Sequence, residues 1–189
     1  MTFAPGLLAD CRVVVAGDGA AALQTNARLE ALGAEVLTLS PEALADEDGA
    51  AGWARDRLPL HALVFDAGAE FGSGGADALR ATMESAWRAV RAIVTGALIE
   101  AQGPGRLILM APGPDAGPHA PAARAALENL ARTLSVEWAR HEITAVALWP
   151  GPETTDAEMA EVACFLISPA GGYFSGCRFE LGAVPAAAR

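Results

Sequence analysis

The chain has 189 residues, 52% of them hydrophobic and 19% charged, and its formal net charge is −10. A chain of this length can bury one sizeable core, so we expect one domain over residues 1–189. The acidic balance disfavours nucleic acid and anionic membrane surfaces as partners. No apolar run approaches the roughly 20 residues that span a bilayer. The N-terminus also lacks the cationic start of a secretory signal, so we expect a cytoplasmic protein.

Short β-branched runs alternate along the chain with longer stretches of helical spacing. Strands are predicted over residues 12–16, 35–39, 62–65, 106–110, 143–149 and 177–181. Helices are predicted up to residue 32 and over residues 77–101, 121–141 and 156–167, with a solvated helix or loop over residues 41–52. Each strand–helix–strand crossover favours parallel pairing, and continuously apolar strands are typical of sheets covered on both faces. The pattern therefore predicts an α/β fold, a Rossmann-like, doubly wound parallel sheet with helices on both faces.

Several segments between Arg12 and about Val184 resemble, in the same order, the short-chain dehydrogenase/reductase family. The second half carries most of the likeness. Residues 124–137 resemble the active-site helix of the family, and residues 143–151 resemble the following strand, which ends in Pro-Gly. Residues 165–168 and 173–176 resemble the family's final helix and the entrance to its last strand. The resemblance implies a Rossmann-like fold and an origin among NAD(P)-dependent alcohol dehydrogenases.

The same resemblance identifies the positions that would carry the chemistry of the family. Its hydride transfer uses a Tyr as proton donor or acceptor, a Lys four residues later, a Ser and an Asn, and these roles fall on Ala120, Arg124, Ala111 and Thr82 (or Met83). Alanine has no proton to offer a substrate oxygen, whereas arginine could still supply charge. The chain contains no Lys at all, so a shifted alignment cannot restore that residue. We therefore expect no catalytic residues.

The cofactor turn after the first strand is altered as well. Dinucleotide sites of this kind place glycines where backbone N–H groups at a helix N-terminus meet the pyrophosphate. Gly17 and Gly19 are present, but Ala20 and the next residues replace later glycines, and Asp18 puts an anion where phosphate would lie. The family's Asn-Asn-Ala-Gly turn is here Phe65-Asp66-Ala67-Gly68, so the turn is expected to persist without its amide. We expect this turn to be vestigial and the chain to bind no cofactor.

Only four residues separate Gly151 from the helix that begins near Asp156, whereas the family carries a helical substrate lid there. Without a lid, water has access to a hydride transfer. The sequence therefore predicts a shortened fold with its substrate lid missing.

Other reactive side chains give no second site. His61, His119 and His141 have no partner at metal-ligand spacing, so no metal site is expected. The three cysteines are expected to behave as small, buried hydrophobic side chains; they are Cys11, Cys164 and Cys177. The single tyrosine, Tyr173, is expected in the core or at an interface.

The elements that the family uses for assembly are the best preserved: the helices at 77–101 and 121–141 and the region 156–181. Trp87 and Trp138 lie on or near their apolar faces, as core residues or as interface anchors. The function hypothesis is a non-catalytic subunit of a hetero-oligomer, a heterotetramer by family precedent, that supports an active homologue. The family includes heteromeric dehydrogenases of this kind, one of which acts on a hydroxyacyl-CoA in anaerobic toluene degradation. Two alternatives remain: a ligand-binding or regulatory module that uses the vestigial cleft, and an enzyme with other chemistry around Asp66 and Asp18.

Overall fold

The computed structural model describes residues 3–72, 74–101 and 103–182. Six strands form one sheet in the order β2-β1-β3-β4-β5-β6, and every neighbouring pair is parallel. The strands are β1 (Arg12–Ala16), β2 (Glu35–Leu39), β3 (Ala62–Asp66), β4 (Gly105–Met110), β5 (Ile143–Trp149) and β6 (Cys177–Glu180). The predicted doubly wound parallel sheet is therefore confirmed, with strand bounds within one residue of those expected.

In the described part of the chain, seven α-helices connect and cover the strands. They are α1 (Ala20–Ala31), α2 (Pro41–Leu44), α3 (Glu47–Arg55), α4 (Ala67–Phe71), α5 (Ala76–Ile93), α6 (Ala120–Glu137) and α7 (Asp156–Ile167). A π-helical turn (Val94–Leu98) continues α5, and 3₁₀ turns follow α6 and α7 at Ala139–His141 and Pro169–Tyr173. Gly33, with a φ of +95°, terminates α1 as a C-terminal glycine is expected to do.

Helices cover both faces of the sheet. On one face α1 and α7 pack on alternate strand residues such as Val15, Val64 and Ile108. On the other face, α3, α5 and α6 pack on the strand residues that alternate with these, such as Val14 and Leu107. Because both faces are buried, the strands read as continuous apolar runs rather than as alternating ones.

The strand order reverses between β1 and β3, because β2 lies on one side of β1 and all later strands lie on the other. In open α/β sheets, ligands bind at such a switch point, beyond the carboxyl ends of the strands. The register pairs Ala16 with Phe65, Phe65 with Leu109 and Leu109 with Ala147. The residues that follow these four strand ends therefore meet at one edge of the sheet.

One local prediction was wrong, and exposure excludes the core alternative for Trp87 and Tyr173 while the interface alternative stays a prediction. The segment after β3 is not a simple turn, because the short helix α4 begins at Ala67 with Asp66 as its N-cap. Trp87 is 44% exposed, since α5 turns alanines and Val90 toward the sheet instead. Tyr173 is 92% exposed, which excludes a core role within this chain.

Two further segments differ in extent and burial. The predicted surface stretch 41–52 contains α2 and most of α3, whose Leu44, Ala50 and Ala54 are buried in the core. Trp138, in contrast to Trp87, is buried at the end of α6. Within the described residues, no helix is both long and apolar enough to cross a membrane.

Candidate functional site

The carboxyl edge of the sheet holds a small cleft of about 330 Å³. It lies between the ends of β3, β4 and β5 and the start of α7. Three carboxylates line it, from Asp66, Asp115 and Asp156, and its described lining residues include no basic side chain. The electrostatic character of the cleft is therefore acidic.

Arg124, at the family's Lys position, is buried and holds two loops together. Its Nη1 donates hydrogen bonds of 2.9 Å to the carbonyl oxygens of both Pro112 and Pro150. These carbonyls belong to the segments that leave β4 and β5. Burial lowers the pKa of Arg124, yet the guanidinium stays charged because its ordinary pKa is far above neutrality. The side chain at this position thus links the main chain of two strand ends.

Trp149, at the end of β5, lies between two arginines. The guanidinium carbon of Arg124 is 4.7 Å from the Trp149 ring centroid, and that of Arg178 is 4.5 Å away. Arg178 on β6 also donates a 2.9 Å hydrogen bond to Glu128 on α6. This bond is the largest cause of the lowered pKa of Glu128, with Arg132 contributing further. The stack therefore connects α6, β5 and the edge strand β6.

The other three residues predicted at the family's catalytic positions are buried, and none has the side chain that the family uses there. Ala120, at the Tyr position, is fully buried in an apolar cluster with Phe71 of α4 and Ala123. Ala111, at the Ser position, is buried and its N–H donates to the carbonyl oxygen of Leu148 at 2.8 Å. Thr82, at the Asn position, is fully buried in α5, and its hydroxyl has no hydrogen-bond partner among the described residues.

The turn after β1 meets the end of β3. The α1 N-terminus presents the N–H groups of Ala20, Ala21 and Ala22, which precede the first helical bond, from Leu23 to Gly19. The Asp66 carboxylate lies over this end: Oδ2 accepts from the Ala22 N–H at 3.1 Å, and Oδ1 accepts from the Gly68 N–H at 2.9 Å.

Burial raises the pKa of Asp66, because the carboxylate is only 4% exposed. The hydrogen bonds from Gly68 and Ala22 act in the opposite direction, and the negative charges of Asp156 and Asp18 add to the increase. The structure thus brings together five predicted turn residues, Gly17, Asp18, Gly19, Asp66 and Gly68, while Ala20 begins α1 with an exposed side chain.

The connection from β5 to α7 is short and has its own hydrogen bonds. The Gly151 N–H donates to Thr154 Oγ1 at 2.8 Å, and Thr155 and Glu158 form a reciprocal capping box at the start of α7. Residues 152–155 contain no helix, in agreement with the predicted absence of a lid there.

Comparison with known proteins gives matches only at the level of structure. No protein-family model matches the chain, and no curated protein sequence is similar to it. A citronellol catabolism dehydrogenase of Pseudomonas aeruginosa PAO1 superposes with a TM-score of 0.77 at 21% identity, over 94% of this chain and 95% of that one. A short chain dehydrogenase of Mycobacterium smegmatis gives 0.77 at 18% identity, over 96% and 95%. The chain has the short-chain dehydrogenase/reductase fold.

One matched structure with this fold is a Brucella ovis oxidoreductase in complex with a partially ordered NAD, with a TM-score of 0.71 at 23% identity over 91% of this chain and 99% of that one. The residues of this chain do not fit such a cofactor. The Asp66 carboxylate already lies against the α1 N-terminus, where the fold places a pyrophosphate, and the neighbouring side chains are acidic.

Two features of the site were not predicted from the sequence. The Trp149–Arg178–Glu128 contacts join residues far apart in the chain, and no local motif indicates them. The contact of Asp66 with Ala22 spans 44 positions. Among the described residues, no cluster of His, Cys, Asp and Glu is arranged to hold a metal ion.

Proposed function

We propose that this chain is a degenerate member of the short-chain dehydrogenase/reductase family that serves as a non-catalytic subunit of a hetero-oligomer with an active homologue. The observation that carries this proposal is the set of contacts made by Arg124, the residue predicted at the position of the family's Lys. Arg124 there is bound to two main-chain carbonyls and stacked on Trp149, so it has a structural role in this chain. Ala120 in its apolar cluster supports the same conclusion, because a buried methyl group stands where the family's proton-donating phenol is predicted to lie.

The surfaces that remain exposed support assembly. Trp87 on α5 and Val136 on α6 are both exposed, at 44% and 78%, on helices that the family uses for subunit contacts. In the described part of the chain, β6 pairs only with β5 and leaves its outer edge open. Exposed aromatic residues and open strand edges are both features of subunit interfaces.

In this proposal the oxidoreductase chemistry belongs to the partner, which would bind NAD(P) and the alcohol substrate. The family precedent is the enzyme that acts on 2-[hydroxy(phenyl)methyl]succinyl-CoA, in which one subunit lacks the site. A similar heterotetramer with a hydroxyacyl-CoA substrate is the corresponding hypothesis for this chain.

The proposal is tested by reconstitution with a short-chain dehydrogenase encoded in the same genomic neighbourhood. The partner would be assayed for NAD(P)-dependent alcohol oxidation alone, with this chain, and with a Trp87→Ala variant of it. We expect no turnover from this chain alone. When it is mixed with the partner, we expect it to raise the partner's activity or half-life. Turnover by the isolated chain, or a partner whose activity and half-life ignore it, would contradict the proposal.

A second candidate is a ligand-binding or regulatory module. It is favoured by the 330 Å³ cleft itself, whose size lies at the small end of the range of about 300–1,000 Å³ typical of ligand pockets. A ligand-induced rise in the melting temperature of the isolated chain, abolished by substitution of a cleft residue such as Asp156, would support this candidate over the first.

A further inference from the structure

Two glycines of the turn after β1, Gly17 and Gly19, pack closely against Asp66. A Cβ atom at Gly19 would lie 2.7 Å from Asp66 Oδ2 and 3.0 Å from the Ala69 methyl carbon. A Cβ atom at Gly17 would lie 2.9 Å from the Asp66 carbonyl oxygen and 3.0 Å from the Asp66 Cβ. Gly17 also has a φ of +120°, which side chains disfavour. Both glycines are therefore required by the close approach of Asp66, without any bound nucleotide.

The α1 N-terminus has the properties of an anion site. Its first three N–H groups have no partner within the helix, and the helix dipole adds partial positive charge there. The Asp66 carboxylate meets this end with a charge-assisted hydrogen bond to Ala22. A phosphate has the same requirements, namely negative charge and oxygen acceptors directed at these N–H groups.

We infer that the Asp66 carboxylate acts as a built-in substitute for the ligand phosphate and closes the dinucleotide site of this chain from within. Two effects combine. The carboxylate takes up the space and the Ala22 donor, and its charge, together with those of Asp18 and Asp156, repels a second anion. This inference rests on the proposed function, because it gives the physical reason why cofactor binding is left to the partner.

The inference predicts that removing the Asp66 side chain opens an anion site. Calorimetric titration with inorganic pyrophosphate and with ADP, at pH 7.5 and low salt, would compare the wild-type chain with Asp66→Ala, Asp66→Asn and Asp115→Ala. Asp115 is the matched control, because it lines the same cleft but its side chain is exposed and has no hydrogen bond to the helix end among the described contacts. We expect Asp66→Ala to bind pyrophosphate at least tenfold more tightly than wild type. Asp66→Asn should gain less, because its amide keeps the volume, and Asp115→Ala should gain little.

Three results would overturn the inference. Wild-type binding of ADP or pyrophosphate as tight as that of Asp66→Ala would overturn the inference, and so would a folded Asp66→Ala variant that gains no affinity. A gain in Asp115→Ala equal to that in Asp66→Ala would attribute the effect to cleft charge alone and would also overturn it.

Amide hydrogen exchange provides a test that does not depend on folding of a variant. If Asp66 holds the Ala22 N–H in the wild-type chain, that amide should exchange at least tenfold more slowly than the Ala20 and Ala21 amides of the same turn. Equal exchange at the three positions would overturn the inference.

Assembly separates this inference from the proposed function. Co-expression of Asp66→Ala with the dehydrogenase partner reports on the subunit contacts that we propose for α5, α6 and β6. A variant that gains no anion binding but still joins a mixed oligomer contradicts only the present inference. A variant that gains anion binding while no mixed oligomer forms contradicts only the proposed function.

Discussion

At the scale of single residues, the two α6 residues predicted at the family's catalytic positions are held by packing and by hydrogen bonds. Ala120 and Arg124 lie on the first turns of α6, where the family places its proton donor and its Lys. The first is enclosed by Phe71 and Ala123, and the second by Trp149 and two carbonyl groups. Tyr at position 120 or Lys at position 124 would therefore conflict with the contacts in this structure.

Ala120→Tyr tests this conflict. A phenol in place of the fully buried methyl group overpacks the cluster around Phe71, and we expect a loss of about 3 kcal/mol in the free energy of unfolding. Ala122→Tyr is the control, because that side chain is exposed on the same turn, and it should change stability by less than about 0.5 kcal/mol. Urea denaturation measures both. Equal stability of the two variants would mean that the Tyr position is open.

Arg124→Lys tests the second role. A lysine cannot bridge both carbonyl oxygens while stacking on Trp149, so one buried acceptor loses its donor, and we expect a cost of about 2 kcal/mol. Arg132→Lys is the control, since Arg132 lies on the same helix and is mostly exposed. Thermal and urea unfolding would compare them. If Arg124→Lys proved as stable as Arg132→Lys, Arg124 would not have the structural role assigned to it.

Asp66 makes a pH-dependent contribution to stability. Its folded-state pKa is raised, mainly by burial, so the folded chain binds a proton more readily than the unfolded chain. Wild-type stability should therefore rise as pH falls from neutrality through the raised pKa toward about 4, relative to Asp66→Asn, which cannot titrate. Paired urea titrations at several pH values measure the difference. If the difference in free energy of unfolding between wild type and Asp66→Asn is constant, or shrinks toward acid pH, burial does not dominate the pKa of Asp66.

At the scale of elements, the edge strand β6 depends on a small charged network for its attachment to α6. Arg178 reaches Glu128 at 2.9 Å and stacks on Trp149, and Arg132 contacts the same carboxylate. Because β6 has one described neighbouring strand, these side-chain contacts fix an element that is otherwise held on one side only.

Glu128→Gln should weaken this attachment. Arg178 is partly exposed, so solvent screens the pair and we expect a loss of about 1 kcal/mol near neutral pH. The folded-state pKa of Glu128 is lowered, so its contribution is present above the ordinary glutamate pKa and is lost as pH falls through the lower folded value. Glu137→Gln at the exposed end of α6 is the control. Hydrogen exchange of the β6 amides would show the change locally, and equal protection in both variants would contradict the network's role.

The elements also show which parts of the fold follow from local sequence. All six described strands begin and end within one residue of the predicted bounds, because β-branched runs between glycines and prolines are strong local signals. Helix α4 was missed because its five residues are too few to establish a periodicity. The sequence left Trp87 between a core and an interface role, and the core role is excluded because small side chains, rather than the large ones, let α5 approach the sheet. The resemblance assigns four residues to the family's catalytic positions, whereas the contacts of Asp66 and Arg124 depend on residues distant in sequence.

At the scale of the whole molecule, the chain keeps the sheet, the switch point and the long helices of a dehydrogenase fold, while the crevice at the switch point is small and acidic. The surface keeps an open strand edge and an exposed tryptophan. A fold with preserved exterior elements and an internally filled site suits a role in which this chain contacts another subunit and the other subunit reacts with substrate.

Native mass spectrometry tests this central claim most directly. The chain would be measured alone and after co-expression with a short-chain dehydrogenase encoded in the same genomic neighbourhood, each with added NAD(P). We expect a mixed oligomer in which the number of bound nicotinamide cofactors equals the number of partner subunits. A homo-oligomer of this chain that excludes the partner, or a mixed oligomer that carries a cofactor on every subunit, would contradict it.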